Sequence, residues 1–142
     1  MGARRKSREC ALQVLFQADL NQEDAAGDEF FEHHRVSGKV KEFAEHLVGG
    51  VGSHSKTIDG VISDHSERWP IARMGAVDRN VLRIAVFELL YDRHTPPKVV
   101  IDEAIEIAKK FGSSESHAFI NGVLDAILTG IEQRKIVCGG ND

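Results

Sequence analysis

Apolar side chains recur along this chain at intervals of three and four residues almost everywhere, the period of helices with one buried face. In the first segment Ala11, Val14, Leu15 and Ala18 share such a face. Val40, Phe43, Ala44, Leu47 and Val48 repeat the pattern, with Ser37 placed as an N-cap. Gly49, Gly50 and Gly52 are expected to weaken this helix and end it. Ile58, Val61, Ile62, His65 and Trp69 form the next stripe, and Pro70 stops it or opens a turn.

The stretch from Val77 to Tyr91 differs, because its apolar residues spread around the whole helical wheel. A helix of that kind belongs at the centre of a fold with others packed around it. Thr95-Pro96-Pro97 predicts a turn and a helix start, followed by the stripe Ile101, Ala104, Ile105, Ala108 and Phe111. Asp102, Glu103 and Glu106 fall on the opposite, solvent side, and Glu106 and Lys110 are spaced for a helical ion pair. Gly112 is placed as a C-cap and Ser113 or Ser114 as the next N-cap. A last helix buries Ile120, Val123, Leu124, Ile127 and Ile131. With no convincing strand, the expectation is an all-α, compact bundle of about seven helices. It forms a single domain over 1–135, with 136–142 as a flexible C-terminal tail.

Composition narrows the class. The 142 residues suit one domain, and 42% hydrophobic with 28% charged residues suits a globular chain. Apolar runs such as Ile84 to Phe87 are too short to span a bilayer, and no signal-peptide core is visible, so a cytoplasmic location is expected. Cys10 and Cys138 are too few for a disulfide framework or zinc knuckle. The net charge of −4 is unevenly spread. Arg4, Arg5, Lys6 and Arg8 make the first eight residues +4, whereas Asp19 to Glu32 holds six acids and no Lys or Arg. A basic arm on an acidic body suits local contact with an anion.

Chemistry is harder to find. The seven histidines have no metal-ligand spacing, and no His-Glu-x-x-His, Cys-x-x-Cys, phosphate loop or nucleophile elbow occurs. The Gly49-Gly50-Val51-Gly52 run lacks the preceding strand of a dinucleotide loop. Asp102, Glu103 and Glu106 read as a wet helix face. The residues thus suggest no enzyme, metal or cofactor.

Two surfaces suit binding instead. Arg5, Arg8, Leu12 and Phe16 fall on one flank of the first helix, basic at one end and apolar at the other. Basic side chains neutralise phosphates, and an aromatic there can anchor a partner. Around the Gly112-Ser113-Ser114 turn, Phe111 and Phe119 could stack unpaired bases beside a helix start. Read from the residues alone, core positions are the favoured reading for both phenylalanines.

Four blocks carry a family resemblance. The run Arg4-Arg5-Lys6-Ser7-Arg8-Glu9, continuing to Phe16, resembles the opening of the NusB family. Val77-Asp78-Arg79-Asn80-Val81-Leu82-Arg83, continuing to Leu89, is similar to its central helix. Pro97 to Gly112 and Ser116-His117-Ala118-Phe119-Ile120-Asn121-Gly122, continuing to Asp125, resemble its later blocks in order. The resemblance implies two small helical sub-bundles packed around shared helices. It implies a non-catalytic transcription antitermination factor that binds boxA single-stranded RNA of nascent ribosomal RNA transcripts. It further implies NusE, a small-subunit ribosomal protein, as partner, and the RNA polymerase elongation complex with other Nus factors as the place of action. Carried over by position, Arg4, Arg5, Lys6 and Arg8 together with Phe111, Ser114, Glu115, His117 and Phe119 become RNA contacts. Leu12, Phe16, Asp78, Arg79 and Arg83 become partner contacts, with Phe16 standing where relatives can have Tyr. Two other readings stay open: a helical adaptor or homodimer, and a targeting domain like those at the N-terminus of RNA cytosine methyltransferases.

Overall fold

The computed structural model describes residues 2–24 and 26–138, and among these the chain folds into seven α-helices and one 3-10 turn, without strands. The helices are α1 Gly2–Asn21, α2 Asp28–His33, α3 Gly38–Ser53, α4 Ser55–Asp64, α5 Ala76–Tyr91, α6 Pro97–Phe111 and α7 Ser116–Glu132. The 3-10 turn, Ile71–Arg73, follows Pro70 and leads into α5.

The centre is α5, as its all-round apolar pattern requires. Every residue from Val81 to Leu90 except Arg83 is buried. One side of α5 meets α1, α3 and α4, and the other meets α6 and α7, which also pack on each other. Two sub-bundles therefore share α5. Burying a side chain the size of Leu82 stabilises by roughly 1.5–3 kcal/mol, and truncating it to Ala would cost about 2–5 kcal/mol.

The structure departs from the sequence pattern where local rules meet long-range packing. α3 runs through Gly49, Gly50 and Gly52 to Ser53 instead of ending there. A Cβ on Gly50 would fall 2.2 Å from the Phe87 ring, so this glycine lets the ring of α5 lie against the α3 backbone. The acidic stretch contains a helix that the apolar pattern does not mark, α2, whose Phe31 is 1% exposed in the core. α4 ends at Asp64, so His65 and Trp69 lie beyond it and Trp69 is 52% exposed. The α6 stripe is rotated slightly, with Val100, Ile101, Ala104, Ile107 and Ala108 buried.

Glu103 lies on no wet face: it is buried against α1. Lys110 reaches Glu9 at 3.0 Å rather than Glu106, which pairs with Lys109 at 3.5 Å. Ser37 occupies the N-cap of α3 without a side-chain capping bond, and the N-cap of α7 is Glu115, not Ser113 or Ser114. Ile136 and Cys138 pack against the core, whereas 139–142 of the expected tail lie outside the described residues.

Candidate RNA and partner interface

The basic arm forms the first two turns of α1. Ser7, fully buried, pins it: its hydroxyl is shared between the carbonyl oxygens of Ala3 at 2.9 Å and Val40 at 2.8 Å. This fixes the start of α1 across the start of α3. Four cations follow from the sequence, but the fold gives them different roles.

Arg8 points inward. Its Nε and Nη2 donate to the two carboxylate oxygens of buried Glu88, both at 2.8 Å, and Nη1 lies 3.7 Å from Glu103. Burial alone would lower its pKa, but Glu88 and Glu103 outweigh that and raise it. Arg8 is thus a core ion, not the free phosphate contact expected from the arm. Arg5 donates to Glu103 through Nε at 3.0 Å and Nη2 at 2.6 Å, with its side chain 30% exposed. The hydrogen bond from Arg5 lowers the Glu103 pKa despite partial burial. Arg4 and Lys6 stay exposed and make no ion pair among the described residues.

α6 runs alongside α1 in the same direction, as Arg5 to Glu103 and Glu9 to Lys110 demonstrate. Phe111 therefore stands beside Leu12, roughly 11 Å along the axis from Arg5. Phe111, His117 and Phe119 are half-buried, and Ser114 and Glu115 are exposed. Phe111 and Phe119 thus combine the alternatives, each packed on the core with part of its ring at the surface. The Lys110 ammonium lies 5.3 Å from the Phe111 centroid. The turn is held by Ser116, whose Oγ accepts from the Ser113 N–H at 2.9 Å. Gly112 is required there because a Cβ would meet Ser116 Oγ at 2.5 Å.

Phe111 also borders a groove of about 580 Å3, walled by Leu12, Phe16, Phe30 and Val77. Leu20 lies on its rim and is 61% exposed. Leu12, at 2% exposure, is its floor and a core residue, so the expected outward contact there is corrected. Phe16 is half-buried on the wall. Asp78 follows Val77, is half-buried and makes no ion pair among the described residues.

Arg79 and Arg83 are engaged within the fold rather than held out for a partner. Arg79 donates to Asp19 at 2.8 Å and to the carbonyl oxygens of Ile71 and Met74 at 3.0 and 3.1 Å. Arg83 donates to both Asp59 oxygens at 2.8 and 3.0 Å. Burial would raise the Asp19 pKa, but hydrogen bonds from Arg79 and Asn80 lower it. Sequence reasoning missed Lys39 and Phe43, which the α1–α3 crossing brings beside Arg4. The local pattern puts Phe43 only in an apolar stripe, and the tertiary crossing alone makes it and Lys39 neighbours of the arm.

Among the described residues no group of three His, Cys, Asp or Glu could hold a metal ion, and no helix is long and apolar enough to cross a membrane. Fold and surface together define an all-helical binding module with a cationic helix end, an aromatic turn and an apolar groove on adjoining surfaces. The chain belongs to the NusB family, whose pattern matches residues 5–129. It is 47% identical over 132 residues to the transcription antitermination protein NusB of Desulfosudis oleivorans, covering 89% of this chain and 86% of the relative. Among solved structures it resembles T. maritima NusB, with 37% identity, TM-score 0.81 and coverage of 94% and 97% of the two chains. It also resembles a chain from the crystal structure of antitermination factors NusB and NusE in complex with double-stranded RNA. There the identity is 32%, the TM-score 0.83 and the coverage 92% of this chain and 98% of that one.

Proposed function

We propose that this protein is a cytoplasmic transcription antitermination factor. It captures the boxA single strand of nascent ribosomal RNA together with NusE, and helps RNA polymerase read through terminators. It acts by binding, with no reaction of its own. The observation that carries this reading is that the cationic start of α1, where Arg4 and Lys6 are exposed and Arg5 bridges to α6, lies about two helical turns from Phe111 at the Phe111–Phe119 turn. Cations there neutralise phosphates, and the exposed parts of the two rings stack bases. The solved relative holds RNA and NusE in one complex, and family membership extends that partnership to this chain. That complex contains duplex RNA, whereas a single strand is proposed here because only unpaired bases offer their faces to Phe111 and Phe119.

The groove walled by Phe16, Phe30 and Val77 takes NusE, with Asp78 at its border. Because Phe111 borders both surfaces, the partner completes the RNA platform, and the two ligands bind more tightly together than apart. The test is titration of a boxA-like single strand with and without NusE. Affinity should rise when NusE is present and fall when the strand is paired into a duplex. Capture of NusE with no RNA binding in either titration, or equal binding of single and paired strands, contradicts the reading and favours a protein adaptor or a shape-reading domain respectively.

A further inference from the structure

Adjacent residues Arg4 and Arg5 leave α1 on opposite flanks. Arg5 faces α6 through Glu103, and Arg4 faces α3, where its guanidinium carbon lies 3.8 Å from the centroid of the Phe43 ring. Both Arg4 and Phe43 line a hollow of about 350 Å3 at the helix crossing, together with Ala3, Ser7, Lys39 and Glu42. Ligand pockets run from about 300 to 1,000 Å3, so the space suits one small planar group with its attached sugar. Arg4, Lys39 and Glu42 are exposed, and none makes an ion pair among the described residues. The Ser7 hydroxyl, by contrast, is committed to the backbone.

These side chains differ in what they can bind. A guanidinium lying over an aromatic ring has one face covered and one open, and the open face stacks on a nucleobase. The Lys39 ammonium is a point charge suited to a phosphate oxygen. Glu42 is the unexpected member, because a carboxylate repels phosphate and only accepts hydrogen bonds. Two carboxylate oxygens side by side match two N–H donors side by side. Of the four RNA bases only guanine presents that pair, N1–H and the N2 amino group, on its Watson–Crick edge.

We propose that this hollow receives one guanine nucleotide of a single-stranded RNA. The base stacks on Arg4 above Phe43, donates N1–H and N2–H to Glu42, and has its phosphate neutralised by Lys39. The inference rests on the RNA-binding reading above and extends it. The strand crosses the end of α1 from the Phe111–Phe119 side to the α3 side, and Glu42 sets base preference at that point.

The test uses the full chain and short oligouridine RNAs carrying a single central guanosine, inosine or adenosine, followed by fluorescence anisotropy at fixed salt. The guanosine strand should bind about tenfold more tightly than the adenosine strand, as one bidentate base contact allows. Inosine, lacking the N2 amino group, should fall between them. Glu42→Gln should reduce the guanosine-to-adenosine ratio to about twofold or less. Lys39→Ala should weaken both strands alike and keep the ratio. Equal binding of all three strands by the native chain, or an undiminished ratio in Glu42→Gln, overturns the guanine pocket while leaving salt-sensitive RNA capture standing. Failure of every strand to bind, with and without NusE, would overturn the RNA reading itself.

Discussion

Lys6 and Arg8 lie two residues apart on α1 and carry the same charge, yet the fold separates them. Lys6 is in water, whereas the Arg8 side chain is 5% exposed and clamped between Glu88 and Glu103. Removing one partner of a buried ion pair costs about 3–5 kcal/mol, because the remaining charge is left uncompensated. Arg8→Ala should therefore lower the urea midpoint strongly, with any RNA defect following from unfolding. Lys6→Ala should leave the midpoint in place while reducing RNA affinity and the salt slope, by roughly one counterion's worth. A stable Arg8→Ala variant with weakened RNA binding would reverse this assignment. Glu115 is the opposite case, an exposed carboxylate on the proposed RNA edge. One unit of like charge near a phosphate in water is worth about 1 kcal/mol, so Glu115→Gln should tighten RNA binding by up to about fivefold. Unchanged or weaker binding in the same titration removes Glu115 from that edge.

Among the elements, α3 and α2 demonstrate how far periodicity reaches. The apolar pattern marks α1, α3, α4, α5, α6 and α7 because each buries one face, or all faces for α5, against neighbours. It does not reveal that Gly50 belongs inside a helix, since the reason is the Phe87 ring on another element. Nor does charge counting reveal α2, although the Phe30-Phe31 pair within the acidic stretch was a usable signal. Phe31 enters the core and Phe30 walls the partner groove. The site divides in the same way. The cationic arm and the aromatic turn were legible as local clusters and through family resemblance. The inward turn of Arg8, the internal engagement of Arg79 and Arg83, and the approach of Phe43 to Arg4 depend on helix crossings. Two glycine variants check the packing argument. Gly50→Ala should destabilise by about 1–3 kcal/mol through overpacking. Gly52→Ala, where a Cβ meets open space, should be stabilising by up to about 1 kcal/mol. Equal melting shifts for the two would refute the role assigned to Phe87.

For the whole molecule, two carboxylates link stability to pH. Glu103 and Asp19 both have pKa values lowered in the folded state, from ordinary values of 4.5 and 3.8. The unfolded chain then binds more protons than the folded one as acid is added, so the stabilisation is complete above the ordinary carboxylate range. It is lost as pH falls through that range toward the lowered values. Urea midpoints should accordingly hold steady from neutrality to about pH 5 and decline below it, and Arg5→Ala should shrink that decline. The Arg5–Glu103 bridge joins α1 to α6 at the cationic end, so the same contact shapes the surface offered to RNA. The central claim is that a single strand crosses this end of α1 and reaches the Phe111–Phe119 turn. Photo-crosslinking of a boxA-like single strand, with the attached residues mapped along the chain, tests it most directly. The account predicts attachment within the first two turns of α1 and between Phe111 and Phe119. Attachment concentrated on α4 and the Ile71–Arg73 turn, with none at the start of α1, would contradict it.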